Sequence, residues 1–312
     1  MGNIYCIGEA VYDIIFKNNN PVESRPGGAM LNSSVTLGRL GLPVFFVGDF
    51  ADDHVGKICC KFLQDNGVNT SFVTFYKGAR SRIALAFLDE EKNAEYSFYK
   101  ISDCTAGVIF PEVKAGDIIL FGSWFGIKPA IRPQLAAFLE KARTAGALIL
   151  YDPNFRKAHL DMLEKVKPYI DENIRFSHIT KGSDEDFHYI LDTSDVSKIH
   201  HYVEHNDCKH LIYTANRNGA WLFSDEETSH FPAMKIKPVS TVGAGDSFNA
   251  GILYALYRLN ATPENIDTFP AEAWTWIMQQ AIRFASEVCM SFDNYISPDF
   301  ARTLMGEDEP VF

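Results

Sequence analysis

Residues 241–256, TVGAGDSFNAGILYAL, combine small residues, one carboxylate and an apolar helical pattern in an order that suits chemistry. The Gly-Ala-Gly run at 243–245 directly precedes Asp246, and we expect a buried helix to begin near Ser247. The first turn of a helix carries backbone N–H groups without helical partners, and small residues let a bulky anion approach them. A carboxylate at that edge can take a proton from a hydroxyl group. The pattern therefore predicts phosphoryl transfer to an alcohol, with Asp246 as the base.

A structural role for Asp246 is the main alternative, because Asp is a favoured residue at helix N-termini and could simply cap this helix. Other catalytic motifs do not fit the segment. The chain has no G-x-x-x-x-G-K-[ST] or G-x-G-x-x-G pattern, and Asn249 stands where a nucleophile elbow around Ser247 would need a glycine.

The elements that must position these residues alternate along the chain. Strands are expected in NIYCIGEA, VFFVGDF, DIILFGS, ALILYDPN and HLIYTAN, and helices in MLNSSVTLGRLG, HVGKICCKFLQDNG, RPQLAAFLEKARTAG and SFNAGILYALYRLN. This alternation predicts an α/β fold with a doubly wound, mostly parallel central sheet flanked by helices. In such folds a ligand lies at the carboxyl ends of the strands.

Residues 71–100 depart from the alternation. SFVTFY, SRIALAFLD and AEYSFYK predict consecutive strands, with a turn at DEEKNA between the last two. We expect a small antiparallel β lid whose strands are inserted within about residues 9–17 and 71–101 of a single domain that spans residues 1–312.

A second glycine-rich turn lies near the N-terminus, where GGAMLNSSVTLGRLG places Gly27 and Gly28 before a helix and Asn32 one turn into it. A cap or turn role is the alternative for Asn32. Together with VSTVGAGDSFNAG, this stretch resembles the two motifs of the ribokinase-like, or PfkB, family of carbohydrate kinases. GEAVYD and DPNFR also match, so that the resemblance covers essentially the whole chain. It implies a ribokinase-like fold, ATP-dependent phosphorylation of a sugar hydroxyl, and Mg²⁺ accompanying the ATP.

The resemblance also implies roles for individual residues. Asp246 matches the catalytic base, and the backbone amides of Gly243, Ala244 and Gly245 match the anion hole. The implied substrate-binding residues are Asp13, Gly27, Gly28, Asn32, Phe98, Lys100, Asn154 and Arg156. The implied nucleotide-binding residues are Ser183, Thr214, Asn216, Gly219, Gly243 and Gly245, and Asp186 matches a position that holds magnesium through water. A surface ion pair is the alternative for Arg156, and plain core packing is the alternative for Phe98 and Lys100.

Three places in the chain depart from the family pattern. Ser240 stands where the family usually has an Asp tied to a monovalent cation site, which argues against activation by potassium. Asn216 replaces a glycine of the nucleotide loop, although Asn tolerates a left-handed backbone better than most residues. Ser183 and Asp186 take the place of an N-x-x-E segment, and the same run equally predicts a helix N-cap followed by first-turn acids.

The segment ALAFLDEEKNAEYSFYK, followed by DPNFR, looks most like the fructokinase branch of the family. Relatives that phosphorylate 2-keto-3-deoxygluconate tend to place Arg where Lys100 stands, and the difference favours a neutral hexose. Kinases of 2-keto-3-deoxygluconate, ribose or nucleosides are the enzymatic alternatives. A sugar-binding or regulatory member with weak catalysis is the non-enzymatic one.

Composition limits the partners. The chain of 312 residues has a formal net charge of −11 and no Lys/Arg-rich patch, which argues against a nucleic-acid partner. Glu9 and Asp13 interrupt the apolar run at the N-terminus, so we expect neither a signal peptide nor a membrane span and place the protein in the cytoplasm. The expected partners are a small sugar and ATP, and the resemblance adds a homodimer formed through the lid as one option.

Overall fold

The computed structural model describes residues 2–78, 80–88, 94–99, 107–224 and 227–307. The strands of these residues are β1 (Ile4–Ile7), β2 (Val11–Lys17), β3 (Asn20–Gly27), β4 (Val44–Ala51), β5 (Asn69–Tyr76), β6 (Ile83–Leu88), β7 (Ala94–Tyr99), β8 (Ile118–Gly122), β9 (Leu148–Asp152), β10 (Ile179–Ser183), β11 (His210–Thr214), β12 (Ala220–Ser224) and β13 (Glu227–Phe231). The helices are α1 (Ala29–Arg39), α2 (His54–Asp65), α3 (Ser123–Ile127), α4 (Arg132–Thr144), α5 (Leu163–Phe176), α6 (Asp184–Leu191), α7 (Val196–His205), α8 (Ala244–Arg258), α9 (Ala271–Cys289) and α10 (Pro298–Met305). Short 3₁₀ helices occupy Lys157–Met162, Asn216–Asn218 and Ile266–Thr268.

The large sheet has the strand order β13-β12-β11-β10-β9-β8-β1-β4-β5. Pairing is parallel from β5 through to β11, and β12 and β13 extend the edge in antiparallel fashion. The chain winds from β1 toward β4 on one side and from β8 onward on the other, so the strand order reverses beside β1. A ligand is expected at the carboxyl ends of the strands near that reversal. The predicted α/β class and doubly wound sheet are confirmed.

Helices cover both faces of this sheet, because alternate apolar residues of central strands such as β1 and β8 are buried on opposite sides. In β1, Ile4 and Cys6 pack in the core that includes α1, α8 and α9, whereas Tyr5 and Ile7 pack in the core that includes α4 and α5. A strand buried on both faces in this way is typical of parallel sheets. Each fully buried large apolar side chain contributes roughly 1.5–3 kcal/mol. The two cores therefore hold the strand ends at fixed positions.

The small sheet has the order β3-β2-β6-β7. It consists of two antiparallel hairpins, β2–β3 and β6–β7, joined by parallel pairing of β2 with β6. The small accessory sheet was predicted correctly, but one of its predicted strands was wrong. SFVTFY belongs to β5, which pairs in parallel with β4 in the large sheet, and β3 takes part in the small sheet instead. Among the helices of the described ranges, none is both long and apolar enough to cross a membrane.

Helices α8 and α9 pack closely at Gly251, and this contact fixes the helix that carries Asp246. A Cβ atom on Gly251 would lie 2.6 Å from the Cα atom of Ala281, where backbone has no room to yield. The absence of a side chain at this position therefore sets the distance between the two helices.

We expect Gly251→Ala to lower the free energy of unfolding by about 1–3 kcal/mol, because overpacking against backbone outweighs the gain in helix propensity. Urea denaturation measures the change. Gly306→Ala is the matched control, because its nearest neighbour would be 3.5 Å from the new Cβ and its φ of −91° suits alanine. A Gly251→Ala protein as stable as the control would contradict this account of the packing.

Candidate active site

Two helices bring the glycine-rich motifs together. Asn32 lies in the first turn of α1, and its Nδ2 donates a hydrogen bond of 2.8 Å to Oδ2 of Asp246, a residue 214 positions further along the chain. The hydroxyl of Ser33 donates a second bond, also 2.8 Å, to the backbone carbonyl of Asp246. The predicted substrate-binding motif and the predicted catalytic motif thus form one site.

The N-terminus of α8 is arranged to receive an anion. The helix begins at Ala244, so the predicted start near Ser247 was wrong by about one turn. Gly243 is the N-cap residue with a left-handed φ of 79°, and no side chain caps the helix. The amide of Ala244 makes a long contact of 3.3 Å with the carbonyl of Thr241, and helix geometry gives the amides of Gly245 and Asp246 no partner. Since Asp246 does not serve as the N-cap, these amides stay open to an anion.

Burial makes Asp246 a better base than an ordinary carboxylate. The residue is 9% exposed, and burial raises the pKa of Asp246 above its usual value. The hydrogen bond from Asn32 and the charge of Arg156 oppose this rise in pKa. A carboxylate with a raised pKa holds a transferred proton more readily at neutral pH.

Asp13 occupies space that Gly27 leaves free. A Cβ atom on Gly27 would lie 2.3 Å from Oδ2 of Asp13, and one on Gly28 would lie 2.7 Å from the carbonyl oxygen of Glu9. Burial raises the pKa of Asp13 to about 7, against the lowering effect of Arg25 and with a further contribution from Asp246. Gly27 therefore makes room for a buried carboxylate beside the start of α1, and Gly28 allows the backbone of Glu9 to approach closely.

Lys181 is a functional candidate that the sequence analysis missed. Its Nζ lies 3.1 Å from Oδ2 of Asp152, and the same oxygen accepts a 2.6 Å hydrogen bond from Nδ2 of Asn249. A Cβ atom built on Gly245 would lie 3.5 Å from the Lys181 Nζ. Burial lowers the pKa of Lys181, but the carboxylates of Asp152 and Asp186 outweigh burial and leave the pKa raised. A buried ammonium therefore stands beside the open turn of α8. The sequence ITKGS has one large apolar residue and gives no signal that its lysine is buried.

Ser183 and Asp186 form the capping box of α6. Oδ2 of Asp186 accepts bonds of 2.7 Å from both the amide and the hydroxyl of Ser183, and Oδ1 accepts a 2.6 Å bond from the amide of Phe155. The N-cap interpretation of this run is confirmed, and a magnesium role for Asp186 stays a prediction. A carboxylate has about four lone-pair positions, so one remains for a metal-bound water. The described residues contain no group of three or more His, Cys, Asp or Glu side chains that could hold a metal ion.

The segment after β9 turns toward this site. Asn154 is buried with a left-handed φ of 40°, and its amide donates a 3.1 Å bond to Oδ1 of Asp152. Arg156 is exposed, and its charge nevertheless lowers the pKa of Asp246. Arg156 is thus an accessible cation at the rim, where an anionic group on substrate or nucleotide could meet it.

The predicted nucleotide loop follows β11. Asn216 is exposed and has a left-handed φ of 47°, a backbone conformation that Asn tolerates better than most residues. Gly219 has a φ of 90°, and a Cβ atom there would lie 2.2 Å from the carbonyl oxygen of Phe231. Thr214 ends β11 beside Ser183, its partner in the parallel register with β10. The loop therefore lies next to the start of α6, and its contact with nucleotide stays a prediction.

Three predicted positions add nothing to this geometry. Lys100 lies outside the described residues, and so does the side chain of Phe98, whose backbone belongs to β7. The hydroxyl of Ser240 accepts a 3.2 Å bond from the amide of Val242, so its position carries a turn and no carboxylate.

Comparison with known proteins gives a consistent result. Residues 1–290 match the pfkB family of carbohydrate kinases. Aminoimidazole riboside kinase of Salmonella typhimurium is 29% identical over 266 residues, which cover 83% of this chain and 82% of that protein. Fructokinase-1 of Zea mays is 29% identical over 239 residues, which cover 75% and 74%. The crystal structure of fructokinase from Vibrio cholerae O395, with fructose, ADP and calcium ion bound, has a TM-score of 0.84 at 18% identity and covers 98% of this chain and 99% of its own. This likeness confirms the predicted ribokinase-like fold.

The raised pKa of Asp13 predicts a pH-dependent cost in stability. Because the native pKa of about 7 exceeds the ordinary value of 3.8, the folded state binds more protons between these values, and the contribution of Asp13 to stability falls as the pH rises through this window. Asp13→Asn should therefore stabilise the protein more at pH 8 than at pH 5, by on the order of 2 kcal/mol. Urea denaturation at both pH values measures this. The exposed Asp65→Asn is the control, and equal gains at the two pH values would contradict the prediction.

Proposed function

The chain belongs to the PfkB family of carbohydrate kinases and is a phosphotransferase acting on a sugar hydroxyl, and from this premise we propose that it transfers the γ-phosphoryl group of ATP to fructose. The observation that carries the proposal is the hydrogen bond between Asn32 and Asp246. This bond holds Asn32, the proposed sugar-binding residue, against Asp246, the proposed base. A sugar hydroxyl bound by Asn32 therefore lies close to the carboxylate of Asp246.

In the proposed reaction, the carboxylate of Asp246 accepts the proton of the sugar hydroxyl as its oxygen attacks the γ-phosphorus. The bond between this phosphorus and the β,γ-bridging oxygen breaks, and ADP leaves with the electron pair. Asp13 and Asn32 fix neighbouring hydroxyl groups of the sugar, one as acceptor and the other as donor or acceptor. Proton removal and orientation are thus supplied by residues of β2, α1 and α8.

Charge on the moving phosphoryl group is met by the open amides of α8 and by the Lys181 ammonium beside Gly245. Donors that are already in place stabilise this charge without rearrangement during the reaction. Magnesium would arrive with ATP, where it neutralises phosphate charge, and Asp186 is the carboxylate that would hold it through water. Ser183, Thr214 and Gly219 are the nucleotide-side residues in this proposal.

Fructose is favoured because the sugar side of the site is acidic. Asp13 and Asp246 are both buried there, and burial raises the pKa of each. A substrate carboxylate, such as that of 2-keto-3-deoxygluconate, would add a third negative charge and repel the other two. The similarity to Fructokinase-1 of Zea mays supports the same choice.

A riboside is the second candidate, because aminoimidazole riboside kinase of Salmonella typhimurium matches a larger share of this chain at the same identity. A ribose ring also offers two neighbouring hydroxyl groups to Asp13 and Asn32. Substrate choice is therefore a question for direct measurement.

We expect coupled ADP release with magnesium-ATP to be strongest with fructose in a panel that also contains ribose, glucose, 2-keto-3-deoxygluconate, adenosine and aminoimidazole riboside. Ser240 predicts that potassium will not change the rate. A riboside turned over faster than fructose would move the assignment to the second candidate. Folded protein that binds fructose in calorimetry but releases no ADP would instead indicate a sugar-binding member.

Asp246→Asn should lower kcat by about 10²- to 10⁴-fold, the usual contribution of a general base. The amide oxygen of the new side chain can still accept the bond from Asn32, so fructose affinity should change little. Steady-state kinetics and calorimetry measure the two quantities. Asp299→Asn replaces an acidic residue of the first turn of α10 and is the control. Near-normal turnover by Asp246→Asn would show that another group takes the proton.

A further inference from the structure

We propose that Arg25 is a positioning residue that connects the small sheet to the loop supporting the anion hole, and that it acts on phosphoryl transfer through that loop and through Asp13. This inference rests on the proposed kinase reaction. Arg25 is not among the site residues predicted from the sequence.

Arg25 is a buried cation on β3. Its side chain is 8% exposed, its Nη1 donates a hydrogen bond to the backbone carbonyl of Phe292, and its Nη2 lies 3.1 Å from Oε2 of Glu23. Nη1 also lies 3.6 Å from Oδ1 of Asp293. A buried charge is costly unless it is paired and hydrogen-bonded, so these contacts hold the guanidinium in one place. The small sheet is thereby attached to the segment that follows α9.

That segment supports the anion hole. The backbone of Asn294 packs against Gly243, where a Cβ atom would lie 2.6 Å from the Asn294 carbonyl oxygen and 2.7 Å from its Cα atom. Gly243 is the left-handed N-cap residue of α8. On the same side, the amide of Val239 donates a 2.8 Å bond to the carbonyl of Cys289. The loop at residues 289–294 therefore braces the chain at 239–243, which leads into the open amides.

Arg25 also faces the sugar side of the site. It is the direct cross-strand partner of Asp13 in the β2–β3 hairpin, and directly opposed residues of a hairpin project from the same face. The guanidinium charge favours the ionised form of Asp13, against burial and the charge of Asp246. One cation thus contacts the support of the phosphate site and favours the charged form of a sugar-binding carboxylate. The position of the small sheet and the geometry of the anion hole are consequently linked through one side chain.

The experiment compares Arg25→Met and Arg25→Lys with two controls. Glu23→Gln removes the half-exposed acidic partner of Arg25 and leaves the bond to Phe292 in place. Arg132→Met removes another buried arginine, which is bound to Glu172 and Asn173 on the α4–α5 side of the large sheet.

Kinetics with magnesium-ATP use the best sugar of the panel. We expect Arg25→Met to lower kcat at least 10-fold and to raise the KM for sugar several-fold. Compared with Arg25→Met, Arg25→Lys should recover more of the KM than of kcat. The positive charge remains in this variant, whereas lysine cannot contact Phe292 and Glu23 with two separate nitrogens as the guanidinium does. Both controls should keep kcat within about 2-fold of the starting protein, since neither changes the contact of Arg25 with Phe292.

A second measurement tests the link between Arg25 and the anion hole without any substrate. Hydrogen exchange of the ligand-free proteins should show at least 10-fold faster exchange at residues 239–247 and 289–295 in Arg25→Met, and no such change there in Arg132→Met. Unchanged exchange at 239–247 in folded Arg25→Met, or turnover by this variant equal to that of Glu23→Gln, would overturn the inference. Failure of every sugar in the panel would refute the proposed phosphorylation of fructose, and the exchange comparison would still decide the structural link.

Discussion

The hydrogen bond between the Asn32 amide and the Asp246 carboxylate is the contact on which the site depends. It joins helices that begin at opposite ends of the chain, and it forms only if α1 and α8 lie side by side on one face of the large sheet. Gly251 permits the close approach of α9 to α8, and Gly28 permits the turn into α1. The packing of small residues therefore determines the distance between a base and a sugar-binding amide. A change of one ångström at either helix would separate them.

Charge balance is the second constraint. Asp13, Asp152, Asp186 and Asp246 are all buried near the carboxyl ends of the parallel strands. Lys181 pairs with Asp152, helix and loop amides neutralise Asp186, and Arg25 faces Asp13 across a hairpin. Among the described residues, no cation is in hydrogen-bond contact with Asp246, and burial is the largest influence on its pKa. The charged form of the carboxylate proposed as base is thus favoured by one amide hydrogen bond from Asn32 and by the charges of Arg156 and Lys181.

Local sequence was sufficient for the regular parts of the fold and for the residues carried by the two motifs. Helix and strand periodicity identified the α/β alternation, and the motifs identified Asp246, Asn32 and Asp13, which the structure brings together. The same reasoning failed where pairing is not local. The sequence SFVTFY does not indicate whether this strand pairs with β4 or with β6. The sequence NPVESRPG is too polar to predict a strand. The sequence analysis did not identify Lys181 and Arg25 for a related reason, because their contacts are with carboxylates and carbonyls of distant segments.

The site lowers stability where it gains function. Burial raises the pKa of Asp13 to about 7, so ionising this carboxyl group at neutral pH costs free energy, and the left-handed Asn154 and Asn216 add backbone conformations that most residues avoid. These costs can persist because the two cores on either side of the large sheet are formed by apolar side chains other than those of the site. Arg25 belongs to neither core, yet its contacts cross from the small sheet to the loop at 289–294. It is therefore placed to make the geometry of the anion hole depend on the small sheet without disturbing the packing that keeps the protein folded.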